Sequence, residues 1–214
     1  SLRGEKCSGG RGRFKALSVE RAMHQVVKYS DLGYKRFFFT DDNFAQNPEE
    51  AIEFSRMIGD YKRKFNKKIS IWVQVRSEVA ENDRLIEAMK YAGVTTLAIG
   101  FESPINEELK AMKKGVTVEK LVARSKKLSE SFYLHGMFIF GYPTFADSKY
   151  RSSLSLEERA RAYLLFFKEA DIDTIQISNA IPLPGSILRA KLEAENRIFP
   201  LEEVGWGKYD GLWV

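Results

Sequence analysis

Apolar residues along this chain switch repeatedly between a helical and a strand period. Behind Ser18, the residues Val19, Ala22, Met23, Val26 and Val27 fall at i, i+3, i+4, i+7 and i+8, and Gly33 follows as a stop, which predicts an amphipathic helix. Lys35 to Thr40 then carries Phe37-Phe38-Phe39, an unbroken apolar run of the kind a strand buried on both faces needs. A second helix is predicted from Asn47 as cap, Pro48 at the first helical position and Glu50 placed for a capping box, with Ala51, Phe54, Ile58, Tyr61 and Phe65 on its buried face.

The alternation continues without a linker. Ile69 to Arg76 reads as a strand, Asp83 to Ala92 as a helix stopped by Gly93, and Thr96 to Gly100 as a third strand running into Phe101-Glu102-Ser103. A helix over about Val118 to Ser131 leads to the strand Tyr133 to Phe140, closed by Gly141-Tyr142-Pro143. Leu156 to Ala170 is helical, and Asp173 to Ser178 is a fifth strand that enters Pro182-Leu183-Pro184-Gly185. Strands separated by helices run parallel with right-handed crossovers, so all five C-termini share one edge. Five units are too few for an eight-stranded closed barrel, which leaves an incomplete barrel or an open doubly wound sheet.

Composition narrows the class. The chain has 214 residues, 44% hydrophobic and 29% charged, enough for one core-bearing domain and far from disordered or collagen-like usage. It lacks any apolar run near the roughly 18 residues of a membrane span and has no signal-peptide pattern at its start, so a soluble, cytoplasmic protein is expected. A net charge of +5 permits nucleic acid as a partner without arguing for it, although Arg3, Lys6, Arg11, Arg13 and Lys15 crowd the start. The one cysteine, Cys7, excludes an internal disulfide and is by itself too few for a thiolate metal site. The opening Ser1-Leu2, with no initiator Met, suggests that the native start lies upstream.

Chemistry-bearing residues gather where strands stop: Asp41, Asp42 and Asn43 after the first, Gln74 and Arg76 at the second, Glu102 after the third, Gly141 after the fourth, Ser178 and Asn179 at the fifth. Adjacent acids with an arginine at one edge suit a zwitterion bearing hydroxyls better than a bare phosphate. Gly9-Gly10-Arg11-Gly12 lacks a preceding strand and a Gly-Lys-Ser/Thr ending, so it is a weak phosphate cradle.

Six of these segments, in order, resemble the successive strand-end motifs of the radical SAM superfamily, and within it of the cobalamin-binding group: FFFTDDNF (Phe37 to Phe44), WVQVR (Trp72 to Arg76), AIGFES (Ala98 to Ser103), GMFIFGYP (Gly136 to Pro143), PLPGS (Pro182 to Ser186) and WGKYDGLWV (Trp206 to Val214). The resemblance covers Phe14 to Val214. It implies an α/β fold, a partial TIM-type barrel of six units with about five present here. It further implies S-adenosylmethionine (SAM) bound across the strand C-termini, and a 4Fe–4S cluster that reduces SAM to a 5′-deoxyadenosyl radical. Residue by residue, it places Asp41 and Asp42 near the methionine amino group, Glu102 at the ribose or methionine end and Gln74 beneath. Arg76 falls on the methionine carboxylate, and the backbone at Gly141 and Asn179 beside adenine.

The family's CxxxCxxC is absent, and Cys7 stands either as its last cysteine or as an unrelated residue, with the ligands upstream. Residues 1–17 are expected to be a remnant of the cluster-binding loop, 18–186 the barrel, and 187–214 an extension in which Trp206, Tyr209 and Trp213 cover the barrel. A cobalamin domain is expected before the barrel, a small-molecule or lipid-like substrate within it, and dimerisation through the strand edge left open by the missing first strand. Simpler readings stand beside these: Asp41–Asp42 as helix-start acids, Arg76 in an ordinary salt bridge, His24 and His135 as surface and packed histidines, and Lys62 to Lys68 and Met112-Lys113-Lys114 as helix-end charge. Alternatives to a cobalamin-dependent enzyme acting in methyl transfer or carbon-skeleton modification are a tRNA methylthiotransferase and a non-catalytic barrel with Asp41, Asp42 and Glu102 as metal ligands.

Overall fold

A computed structural model describes residues 17–143, 153–205 and 207. The elements are α1 Val19–Asp31, β1 Arg36–Phe39, α2 Pro48–Lys64, β2 Ser70–Val75, a 3₁₀ turn Ser77–Glu81, α3 Asp83–Ala92, β3 Val94–Glu102, α4 Asn106–Ala111, α5 Val118–Ser129, β4 Tyr133–Phe140, α6 Leu156–Glu169, β5 Thr174–Asn179, α7 Ile187–Ala194 and α8 Leu201–Val204. The strands form one parallel sheet in the order β1-β2-β3-β4-β5, curled into a half-barrel with helices outside. Sequence order equals spatial order because each helix returns the chain to the next position along the sheet.

Register separates the two faces. Val73 lies beside Leu97 and Leu97 beside Leu134, while Val75 lies beside Ile99. These residues are buried with Ile71, Phe101 and Phe138 against helical residues such as Ile58, Leu85, Met89, Leu121, Leu128 and Phe166. Around Phe138 the rings interlock, with centroids 4.8 Å from Phe167 and 5.5 Å from Phe101. On the concave face Phe38 lies beside Trp72 and Gln74 beside Ala98 and then His135, whose Nδ1 is 2.9 Å from Thr174 Oγ1.

Capping follows the sequence in most places. Ser18, Asn82, Thr117 and Ser155 each accept a hydrogen bond from the third residue on, and Ser155 forms a complete capping box with Glu158. The box expected at α2 does not form: Asn47 occupies the N-cap position with no side-chain cap bond. Phe37-Phe38-Phe39 is not buried on both faces either. Phe37 and Phe39 pack against the helical layer, but Phe38 is 56% exposed, because its concave face opens into the half-barrel and β1 has one strand neighbour among the described residues. Phe65, expected on the buried face of α2, is exposed at that helix's C-cap. The 3₁₀ turn, α4, α7 and α8 are too short for their apolar spacing to mark them in the sequence. Cys7 and nearly all of the 1–17 segment lie outside the described residues, as do Trp206, Tyr209 and Trp213.

Candidate functional site at the C-terminal edge of the sheet

All five parallel strands end on one side, so topology brings Asp41, Asp42, Gln74, Arg76, Glu102, Gly141 and Asn179 to the same edge. The turn after β1 leans over the end of β2: the Phe44 amide donates to the Gln74 carbonyl at 2.8 Å. Asp41 and Asp42 are exposed on that turn and Gln74 is half-buried on the concave face. Asn43 Oδ1 is buried with no partner among the described residues, an acceptor left open beside the two acids. Gly141 turns with φ of 73°, and a Cβ there would meet nothing within 4 Å.

Glu102 is placed by a local irregularity. Register shifts between Gly100 and Glu102, and Glu102 has φ of 68°, a left-handed conformation that costs a non-glycine residue about 1 kcal/mol. The bulge turns its side chain back over Gly100, where a Cβ would lie 2.9 Å from Glu102 Oε1. Glycine at 100 therefore makes room for the carboxylate. Lys114 Nζ meets that oxygen at 2.8 Å, both side chains about three-quarters covered (28% and 23% exposed). Lys114 arrives on a tight return after α4, with its amide bonded to the Leu109 carbonyl and positive φ at Lys113 and Gly115.

A buried polar network holds this turn from behind. Ser103 Oγ accepts from the Ile105 amide at 3.1 Å and donates to Glu108, and Glu108 pairs with Arg159 of α6. Tyr163, one turn further along α6, donates to the Ile139 carbonyl at 2.6 Å, and burial pushes its phenol above the usual range. Arg76 makes an exposed 2.9 Å pair with Glu78 in the 3₁₀ turn, so the ordinary salt bridge is its observed partner. Among the described residues no three His, Cys, Asp or Glu side chains come close enough to hold a metal ion, which removes the support for Asp41, Asp42 and Glu102 as a ligand set.

Lys114, Glu108 and Arg159 belong to this region although no motif in the sequence marks them as site residues. Lys114 was masked by the general preference for cations at helix ends; Gly115 behind it, permitting the return, was the available signal.

A parallel half-barrel with polar residues collected at the strand C-termini is the architecture of a barrel enzyme. A family model described as the radical SAM superfamily matches residues 4–156, and the chain belongs to that superfamily of enzymes. It is 30% identical over 200 residues to an uncharacterized methyltransferase of Pyrococcus horikoshii, covering 92% of this chain and 39% of the relative. Identity to the bacteriochlorophyllide d C-12(1)-methyltransferase of Chlorobaculum tepidum is 26%, over 92% of this chain and 40% of that protein. The chain thus spans about two-fifths of these relatives. Among solved structures it is similar to the radical SAM methyltransferase TsrM from Kitasatospora setae, determined with cobalamin and a 4Fe–4S cluster bound (TM-score 0.63, 17% identity, 77% of this chain and 31% of that one). It is likewise similar to the cobalamin-dependent SAM radical enzyme OxsB with aqua-cobalamin and SAM bound (TM-score 0.56, 19% identity, 85% and 26%).

The superfamily implies SAM and an iron–sulfur cluster. The open Asn43 acceptor, the exposed acid pair and the Glu102–Lys114 pair on a concave edge fit a ligand with an ammonium, a carboxylate and ribose hydroxyls. A three-thiolate cluster site is not met within these 214 residues, which contain one cysteine. No described helix is long and apolar enough to cross a membrane.

Proposed function

We propose that this chain is the SAM-binding barrel of a cobalamin-dependent radical SAM enzyme that acts in methyl transfer. The observation that carries the reading is the convergence of Asp41–Asp42–Asn43, Gln74 and Glu102–Lys114 on one sheet edge inside the matched residues. The methyltransferase relatives and the cobalamin-dependent structural neighbours support the type of reaction. Asp41 and Asp42 accept from the ammonium of the methionine moiety, and Glu102 from ribose hydroxyls. Lys114 holds the Glu102 carboxylate in place. Gln74 supplies a neutral polar floor, Arg76 is released from its exposed pair to meet the methionine carboxylate, and the Gly141 and Asn179 ends flank adenine. Bound SAM supplies the group that is transferred. The concave face beneath, with Phe38 and Trp72 exposed side by side, receives a small-molecule or lipid-like substrate with substantial apolar surface.

The test is anaerobic reconstitution of the full-length protein with iron, sulfide and cobalamin, followed by SAM and a reductant. Formation of S-adenosylhomocysteine and 5′-deoxyadenosine is expected. A fully reconstituted protein that leaves SAM intact contradicts the reading.

A further inference from the structure

At the opposite end of the strands the sheet carries a second polar feature. A depression of about 430 Å³ lies at the start of β1 and β2, and five of its seven lining residues are cations: Lys35, Arg36, Lys62, Lys67 and Lys68. Three parts of the chain deliver them: the approach to β1, the last turn of α2 and the α2–β2 connection. Backbone bonds fix these parts together. The Ser70 amide donates to the Lys35 carbonyl at 2.8 Å, the Lys67 amide to the Lys62 carbonyl at 2.9 Å, and Arg36 stands in register with Ser70.

The charges are not balanced. Lys67 meets Asp31 at 2.8 Å, but Lys35, Arg36, Lys62 and Lys68 have no carboxylate within ion-pair distance among the described residues. What sets these cations apart is that they converge on one depression, with no acid among its lining residues. Lys62 is half-buried, packed over Gly93 so closely that a Cβ there would lie 2.1 Å from its ammonium, and one of its three N–H groups is used by the Ala92 carbonyl at 3.0 Å. Burial lowers its pKa below the lysine range. The Ala92 carbonyl takes one donor of Lys62, and among the described residues its other two donors and the side-chain donors of Lys35, Arg36 and Lys68 have no hydrogen-bond partner, which leaves them open to an anion.

We propose that this depression binds a soluble anion of the diphosphate class, held by Arg36 and the ammonium groups of Lys35, Lys62 and Lys68. A carboxylate would match one cation, whereas a diphosphate carries several charges and oxygens on every side and so answers cations arriving from three directions. Arg36 offers it a bidentate guanidinium and the lysines act as point charges. The site is separate from the SAM edge by the length of a strand, roughly 20 Å for six residues.

Titration calorimetry of the full-length protein with inorganic pyrophosphate, with sodium chloride at matched ionic strength as the blank, tests this. Saturable binding is expected, weakened about tenfold or more in Arg36→Ala/Lys68→Ala and left unchanged in Lys126→Ala/Lys168→Ala, which removes the same charge elsewhere. Absence of saturable binding, or equal weakening in both double variants, would overturn the proposal. So would capture of phosphatidic acid vesicles by the same residues with no response to pyrophosphate, which would assign the site to a lipid headgroup. Because Arg36 and Lys68 lie away from the SAM edge, SAM affinity in these variants reports separately on the proposed function.

Discussion

At the residue scale the decisive position is Gly100. Its φ is not in the left-handed region, so the backbone accepts alanine, but the new Cβ would lie 2.9 Å from the Glu102 carboxylate, the far end of a flexible side chain. Gly100→Ala is therefore expected to leave thermal stability within about 1 kcal/mol of wild type while displacing Glu102 from Lys114. Weaker SAM binding at unchanged melting temperature checks this. The sequence made Glu102 legible as a site residue because it follows an apolar strand. The bulge that re-aims it, and the lysine that meets it, were not legible, since both depend on how α4 returns and α4 is only six residues long. Arg76 shows the converse: its position was legible, but its observed partner Glu78 is two residues away and local.

At the scale of elements, helices α2 and α3 are pressed together at Gly59, where a Cβ would fall 2.0 Å from the Tyr91 ring. Tyr91 is tied on by a 2.7 Å bond to Asp60, so the ring has little room to yield. Gly59→Ala should destabilise the fold by about 1–3 kcal/mol in denaturant unfolding, despite alanine's better helix propensity. A second element junction is pH-sensitive. Glu81 of the 3₁₀ turn binds buried Arg124 at 2.7 Å and Lys120 at 3.0 Å, and hydrogen bonds from Arg124 and then Lys120 hold its carboxyl below the ordinary 4.5. A carboxyl depressed in the folded state stabilises fully above its unfolded value and loses that stabilisation as pH falls through the folded value. Wild type should therefore lose more stability than Glu81→Gln as pH drops below 4.5, and parallel urea curves for the two proteins would invalidate the assignment. Elements with clear stops were readable from the sequence almost to the residue, as α3 over Asp83–Ala92, stopped by Gly93, and β4 over Tyr133–Phe140 show. The α2 capping box failed because the three-residue spacing of Asn47 and Glu50 permits the box without fixing the side-chain rotamers that close it.

At the scale of the whole molecule, parallel order followed directly from the helix–strand alternation, and with it the prediction that every strand-end candidate shares one edge. Burial on each face did not follow, because an apolar strand reads alike whether its second face meets a helix or an open half-barrel, and Phe38 and Trp72 meet the latter. That open concave face below a polar rim is what the SAM-binding role requires. Its most direct test is calorimetry of SAM with the reconstituted full-length protein and its Asp42→Ala and Glu102→Ala variants. Each substitution is expected to raise the dissociation constant about tenfold, as losing one charge-assisted hydrogen bond of roughly 1.5 kcal/mol implies. Unchanged affinity in both variants would contradict the placement of SAM at this edge.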